Sequence, residues 1–154
     1  MLPAIGQGAL AIEARGDDAR VRELCASLVD PDSEAAVAAE RAILARLNAW
    51  GAGGPERPSG RASDPPEPIA GGHEDPVRVP VITVGCRTPI AGYAEVRGGR
   101  LQVRGLVGRP DASEILREQA EGPVAAAVAL GTEVGERLLA RGAHRILADL
   151  EGRP

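Results

Sequence analysis

Phenylalanine is absent from this 154-residue sequence, and all aromatic residues together make up 1% of it. A core without large rings has to be assembled from Ala, Val, Leu and Ile, which bury less area each. Cysteine is also scarce. Cys25 and Cys86 have no CxxC spacing, which argues against a disulfide framework or a zinc ribbon and for reduced thiols in the cytoplasm. No apolar run approaches ~18 residues, so no membrane-spanning helix is expected. The N-terminus lacks the charged region and apolar run of a signal peptide. No surplus of positive charge is present either. A formal net charge of −4 argues against nucleic acid as a partner. The two histidines, His73 and His144, lack ligand spacing, so no metal site is expected.

What is there suits one ordinary domain, with 44% hydrophobic and 26% charged residues. Ala9–Ile12 is a short apolar run after Gly6-Gln7-Gly8 and reads as a buried strand, although nothing before it offers a sheet to join. Asp17 is a candidate cap for a helix whose Val21, Leu24, Cys25 and Leu28 repeat at helical spacing. Asp30-Pro31 then opens a second helix. It is expected to run to about Leu47, with Ala36, Ala39, Ile43 and Leu47 facing inward. Residues 48–80 are rich in Gly, Pro and charge and read as a disordered insertion, beginning near Trp50. Beyond it the pattern turns to strands. Ile90–Val96 and the alternating stretch from Leu101 to Val107 flank a Gly98-Gly99 hairpin turn, and Ser113–Gln119 supplies a third strand. Gly122-Pro123 opens a last helix with Val124, Ala127, Val128, Val134 and Leu138 as its stripe. Gly131 and Gly135 permit close approach, and Gly142 stops it. Ile146-Leu147 closes the core. The expected class is α+β: a three-stranded antiparallel sheet covered by helices 31–47 and 123–141, preceded by a strand–helix segment whose own sheet is missing.

Five blocks in order resemble the porphobilinogen deaminase family. They are Leu2–Arg15 (LPAIGQGALAIEAR), Ala39-Glu40-Arg41-Ala42, Gly85–Ala94 (GCRTPIAGYA), Leu106–Asp111 (LVGRPD) and Gly142–Leu147 (GAHRIL). The sequence departs from the family pattern at Val84, where the family has the first glycine of a pair, and in the 38 residues between Leu47 and Cys86. Lengthening a surface loop costs only ~0.6 kcal/mol per doubling, so such an insertion is tolerable. The resemblance implies that residues 1–30 return from N-terminal α/β domains, and that residues 31–150 form the C-terminal domain.

The resemblance also implies a chemistry, in which porphobilinogen units are condensed into hydroxymethylbilane with loss of ammonia. The primer is a dipyrromethane cofactor held by a thioether, and Cys86 matches the cysteine that carries it. A thiol is a good soft nucleophile for forming that bond. The bland alternative is that Cys86 is a small buried hydrophobe, the usual fate of a free cysteine. Gln7 and Gly8 match a segment lining the active-site cleft, with a plain turn as the alternative. Cys25 reads as packing, Arg15 as either a cleft or a surface residue, and Glu40 and Arg41 as members of structural ion pairs. The family's catalytic aspartate and most of its carboxylate-binding cations lie in the first two domains, so no catalytic residue is expected here. Alone, the chain is then expected to be inactive. The competing expectation is a non-catalytic binding partner that completes a separately encoded N-terminal half.

Overall fold

The computed structural model describes residues 2–53 and 89–151. Helix α1 spans Ala19–Ala26 and α2 Pro31–Gly53. Strands β1 (Ile90–Arg97), β2 (Arg100–Gly108) and β3 (Ile115–Pro123) follow, then a 3-10 turn at Val124–Ala126, α3 (Ala127–Ala140) and α4 (Ala143–Glu151). The strands form one antiparallel sheet in the order β1-β2-β3. The class is α+β, as the sequence pattern predicts.

Gly98 and Gly99 close the β1–β2 hairpin with φ of 58° and 76°. Positive φ at both central residues is what a two-residue turn matched to strand twist requires. Along β2, Leu101, Val103 and Val107 are buried while Gln102, Arg104 and Leu106 are only half covered. Helices α2 and α3 lie on the buried face. The core is Ile43 and Leu47 of α2, Leu101, Val103 and Val107 of β2, Val134 and Leu138 of α3, and Ile146 of α4.

With no Phe to fill space, the layers close through small residues. A Cβ on Gly131 would run into the carbonyl oxygen of Ala39, and one on Gly135 would sit 2.9 Å from Cβ of Arg46. A Cβ on Gly105 would lie 2.7 Å from Val134. Helix α3 is thereby brought against both α2 and β2, and dispersion contacts accumulate without bulky side chains.

Both edges of the sheet are covered. The amides of Gly92 and Ala94 on β1 donate to Pro3 O (3.2 Å) and to Glu40 Oε1 (2.9 Å). On β3 the carbonyls of Gln119 and Arg117 accept from Arg137 (2.7 Å) and Arg141 (2.9 Å). Unpaired edge groups would otherwise invite pairing with other chains.

Several boundaries differ from the sequence reading. Ala9–Ile12 is not a strand: it has no regular structure, and Leu10 is fully exposed. The cap of α1 is Asp18, whose carboxylate accepts from Val21 N at 3.0 Å, while Asp17 only pairs with exposed Arg15. No residue of α1 is buried, and its apolar stripe faces outward. Asp30 does cap α2, accepting from Ser33 N at 2.8 Å. The helix runs six residues past Leu47, through Trp50 to Gly53. The rest of the expected insertion lies outside the described residues. Strand β3 starts two residues late because 109–114 is consumed by a turn. There Arg109 N donates to Glu114 O (2.8 Å), Asp111 accepts from Ser113, and Ala112 takes φ 59°. Gly122-Pro123 ends the strand instead of opening a helix, since Leu130 packs over Gly122 and Pro123 stays extended. Within α3, Ala127, Gly131, Val134, Gly135 and Leu138 are buried as expected, Leu130 and Leu139 join them, Val124 falls in the preceding 3-10 turn, and Val128 is exposed. Gly142, with φ 100°, stops α3 as expected, and its amide reaches back to Leu139 O at 2.9 Å.

Candidate functional site

The segment that bears Gln7 and Gly8 is a compact turn. Gln7 N donates to Ala4 O (3.0 Å), and Ala4 N donates to the side-chain Oε1 of Gln7 (3.1 Å). Gly6 and Gly8 have φ of 72° and 92°, a left-handed backbone that glycine adopts without a Cβ penalty. With Oε1 occupied, the exposed carboxamide of Gln7 has its NH2 group left to offer a ligand.

Glu40 ties this turn to the sheet. It is 7% exposed, and its two oxygens accept from Gly6 N (2.7 Å) and Ala94 N (2.9 Å). A buried carboxylate is costly unless its oxygens are satisfied, and charge-assisted bonds to backbone amides are among the stronger ones. The ion pair expected of Glu40 from sequence is therefore replaced by a bridge between two backbone segments. Arg41, beside it, is exposed and has no ion pair among the described residues. Ile5 packs onto Gly92, where an added Cβ would come within 2.9 Å of its side chain. Pro3, Ile5 and Gly6 are thus all fixed against β1 and α2. A signal for Glu40 was present in the sequence: an acid between Ala39 and Ala42 on the inward side of a helix needs a partner.

The other expected residues divide. Cys86 and Val84 lie outside the described residues, as does His73. Strand β1, against which the turn is tethered, begins four residues after Cys86 in sequence. Cys25 is half-buried on α1, a helix with no buried residue. Arg15 is exposed beside Asp17. His144 has Nδ1 3.2 Å from Leu139 O. Among the described residues, no helix is long and apolar enough to cross a membrane.

Charged groups also gather at the β2–β3 turn. Arg109 joins Glu114 (3.3 Å) and Asp149 (2.8 Å), and these carboxylates hold its guanidinium more firmly charged than usual. Asp111 is held below the ordinary carboxylate range by hydrogen bonds from Ser113. Both serve the β2–β3 turn, and Arg109 also ties it to α4 through Asp149, so they read as structure.

Residues 81–140 match the family model described as porphobilinogen deaminase, C-terminal domain. The porphobilinogen deaminase of Paracoccus denitrificans (strain Pd 1222) is 38% identical over 141 residues, which cover 92% of this chain and 34% of that protein. That of Syntrophotalea carbinolica (strain DSM 2380 / NBRC 103641 / GraBd1) is 39% identical over 153 residues, covering 99% of this chain and 38% of that protein. The chain thus spans little more than a third of the length of these curated relatives.

Proposed function

We propose, from this chain's kinship with the C-terminal part of the porphobilinogen deaminases, that it is the cofactor-bearing portion of such an enzyme. The enzyme is a cytoplasmic transferase of tetrapyrrole (heme) biosynthesis that condenses four porphobilinogen molecules into hydroxymethylbilane and releases ammonia. Residues 1–30 are the segment returning from N-terminal α/β domains, and residues 31–150 are the cofactor domain. By itself the chain is inactive.

Cys86 carries the dipyrromethane through a thioether. The donor chemistry fits, because a thiol forms a stable bond to a pyrrolic carbon electrophile and is not displaced by water. When bound, the cofactor supplies the primer on which pyrrole units are joined. The chain's own residues position it. In sequence, Cys86 stands four residues before β1, the strand to which the Gln7-Gly8 turn is tied. That joining through Glu40, of two segments far apart in sequence, is the structural observation that supports the reading drawn from kinship. Gln7 presents its carboxamide NH2 as a donor for an acidic pyrrole side chain, and Gly8 keeps the backbone open beside it.

Co-expression with the N-terminal two thirds of a porphobilinogen deaminase tests this. Intact-mass and peptide analysis should find the two-pyrrole addition on Cys86, and hydroxymethylbilane should form. An addition absent from an active complex, or mapped to another residue, would falsify the assignment. The exposed apolar residues Leu10, Ile12, Leu24 and Leu28 favour a second reading, in which the chain is a non-catalytic partner of a separately encoded half. That reading predicts a stable complex without product and without an adduct.

A further inference from the structure

A groove of about 620 Å³ is lined by Arg104 and Leu106 of β2, Arg117 and Glu118 of β3, Arg141 at the C-terminal cap of α3, and Leu2, among others. Three guanidinium groups and one carboxylate make it locally cationic in a chain whose net charge is −4. The register places Arg117 opposite Leu106 and Arg104 opposite Gln119, so the two arginines are diagonal neighbours on adjacent strands. Such positions lie ~7–8 Å apart, within reach of one small ligand. Like charges at that spacing repel unless a counter-charge sits with them.

The available acids do not fully supply it. Glu118 is committed to Arg141 at 2.8 Å. Glu95 takes Arg97 at 3.0 Å and meets Arg104 only at 3.5 Å, a Coulombic contact beyond good hydrogen-bond length. Arg117 is exposed and has no side-chain partner among the described residues. A neighbouring groove of about 380 Å³ shows the opposite arrangement. Its Arg137 pairs with Glu133 at 2.5 Å, and Arg100 at its margin takes Glu121 at 2.6 Å. The guanidinium fork matches a carboxylate in two parallel bonds. Leu106 and Leu2 add an apolar wall that a bare inorganic anion could not use.

We infer that this groove binds a small carboxylate ligand with an apolar body, held between Arg104 and Arg117. This site is separate from the proposed pyrrole chemistry and does not rest on it. The test is a titration of the whole chain with phthalate, an aromatic dicarboxylate, read by backbone amide shifts. Saturable movement should centre on Leu106 and Arg117. Arg117→Ala should weaken binding about tenfold, the loss of one charge-assisted hydrogen-bonded partner, and Arg117→Lys should restore only part. Arg137→Ala, in the charge-balanced groove, should leave binding unchanged. Arg117 is exposed, so its variants keep the fold, and thermal melts check this. Inorganic phosphate at equal ionic strength separates carboxylate recognition from general oxyanion attraction. Equal affinity for phosphate, equal weakening by Arg137→Ala, or no saturation would each overturn the inference.

Discussion

Residues 2–29 and the body that follows carry the same kind of apolar pattern, with opposite outcomes. In the body, Ala39, Ile43 and Leu47 of α2 and Val134 and Leu138 of α3 repeat at helical spacing and are buried. In the arm, Val21, Leu24 and Leu28 repeat just as regularly, yet Leu24 is 61% exposed and α1 buries nothing. Only the first few residues of the arm are held, by Pro3 O, Ile5 and the amide of Gly6. The contrast teaches that periodicity encodes a face to be covered and is silent about what covers it. Under the proposed function, the cover of the arm is the sheet and helices of the N-terminal domains.

The largest expected effect tests that contrast directly. Leu138→Ala should cost about 2–5 kcal/mol of unfolding free energy in denaturant titrations, because it leaves a cavity where α3 meets the sheet. Leu24→Ala should change stability by less than ~0.5 kcal/mol, as surface changes do. Equal losses would mean that the arm and the body are one cooperative unit. Next is Glu40→Gln, expected to cost about 1.5–3 kcal/mol, since an amide can accept at only one of the two positions. Hydrogen exchange should accelerate at Gly6 and Ala94 while Val103 stays protected. Unchanged exchange at Gly6 would show that the tether does not hold the turn. Gly131→Ala should follow at about 1–3 kcal/mol, because the new methyl group meets the backbone of Ala39. A neutral result in a chemical melt would mean that α2 and α3 can slide apart freely.

The smallest effect concerns pH. Ser33 hydrogen bonds hold the Asp30 carboxyl below the ordinary carboxylate range, side chain first and backbone second. A lowered folded-state value means the cap contributes above that range and is lost as pH falls through it. Acidification should therefore fray the start of α2, seen as a small loss of helical circular dichroism. Asp30→Asn should remove the pH dependence while keeping the cap. If the variant frays identically with acid, another carboxylate is responsible.

Much of the body was legible in the residues. The Gly98-Gly99 turn, the alternation along β2, the Asp30-Pro31 helix start and the Gly142 stop are local rules acting over a few residues, and each is found in place. The misread segments are those where distant contacts outweigh local preference. Gly122-Pro123 looks like a break, but its pairing with Leu101 and Arg100 and the cover of Leu130 keep it in the sheet. Ala9–Ile12 looks like a buried strand, and with no neighbouring strand among the described residues it forms none. At the candidate site, Gln7 and Gly8 stood out only through the family resemblance, and the residues alone gave Glu40 the need for a partner but not its identity, because its two partners are 34 and 54 residues away from it.

Composition and pattern by themselves determined the class, the hairpin, the capped helix and a core of small aliphatic residues, because periodicity and turn chemistry act between near neighbours. Tertiary structure alone decided where the acid at position 40 spends its charge, which arginines guard the sheet edge and which remain open. Those outcomes depend on groups that only the folded backbone brings together, where desolvation makes an unpaired charge costly and a matched one stabilising.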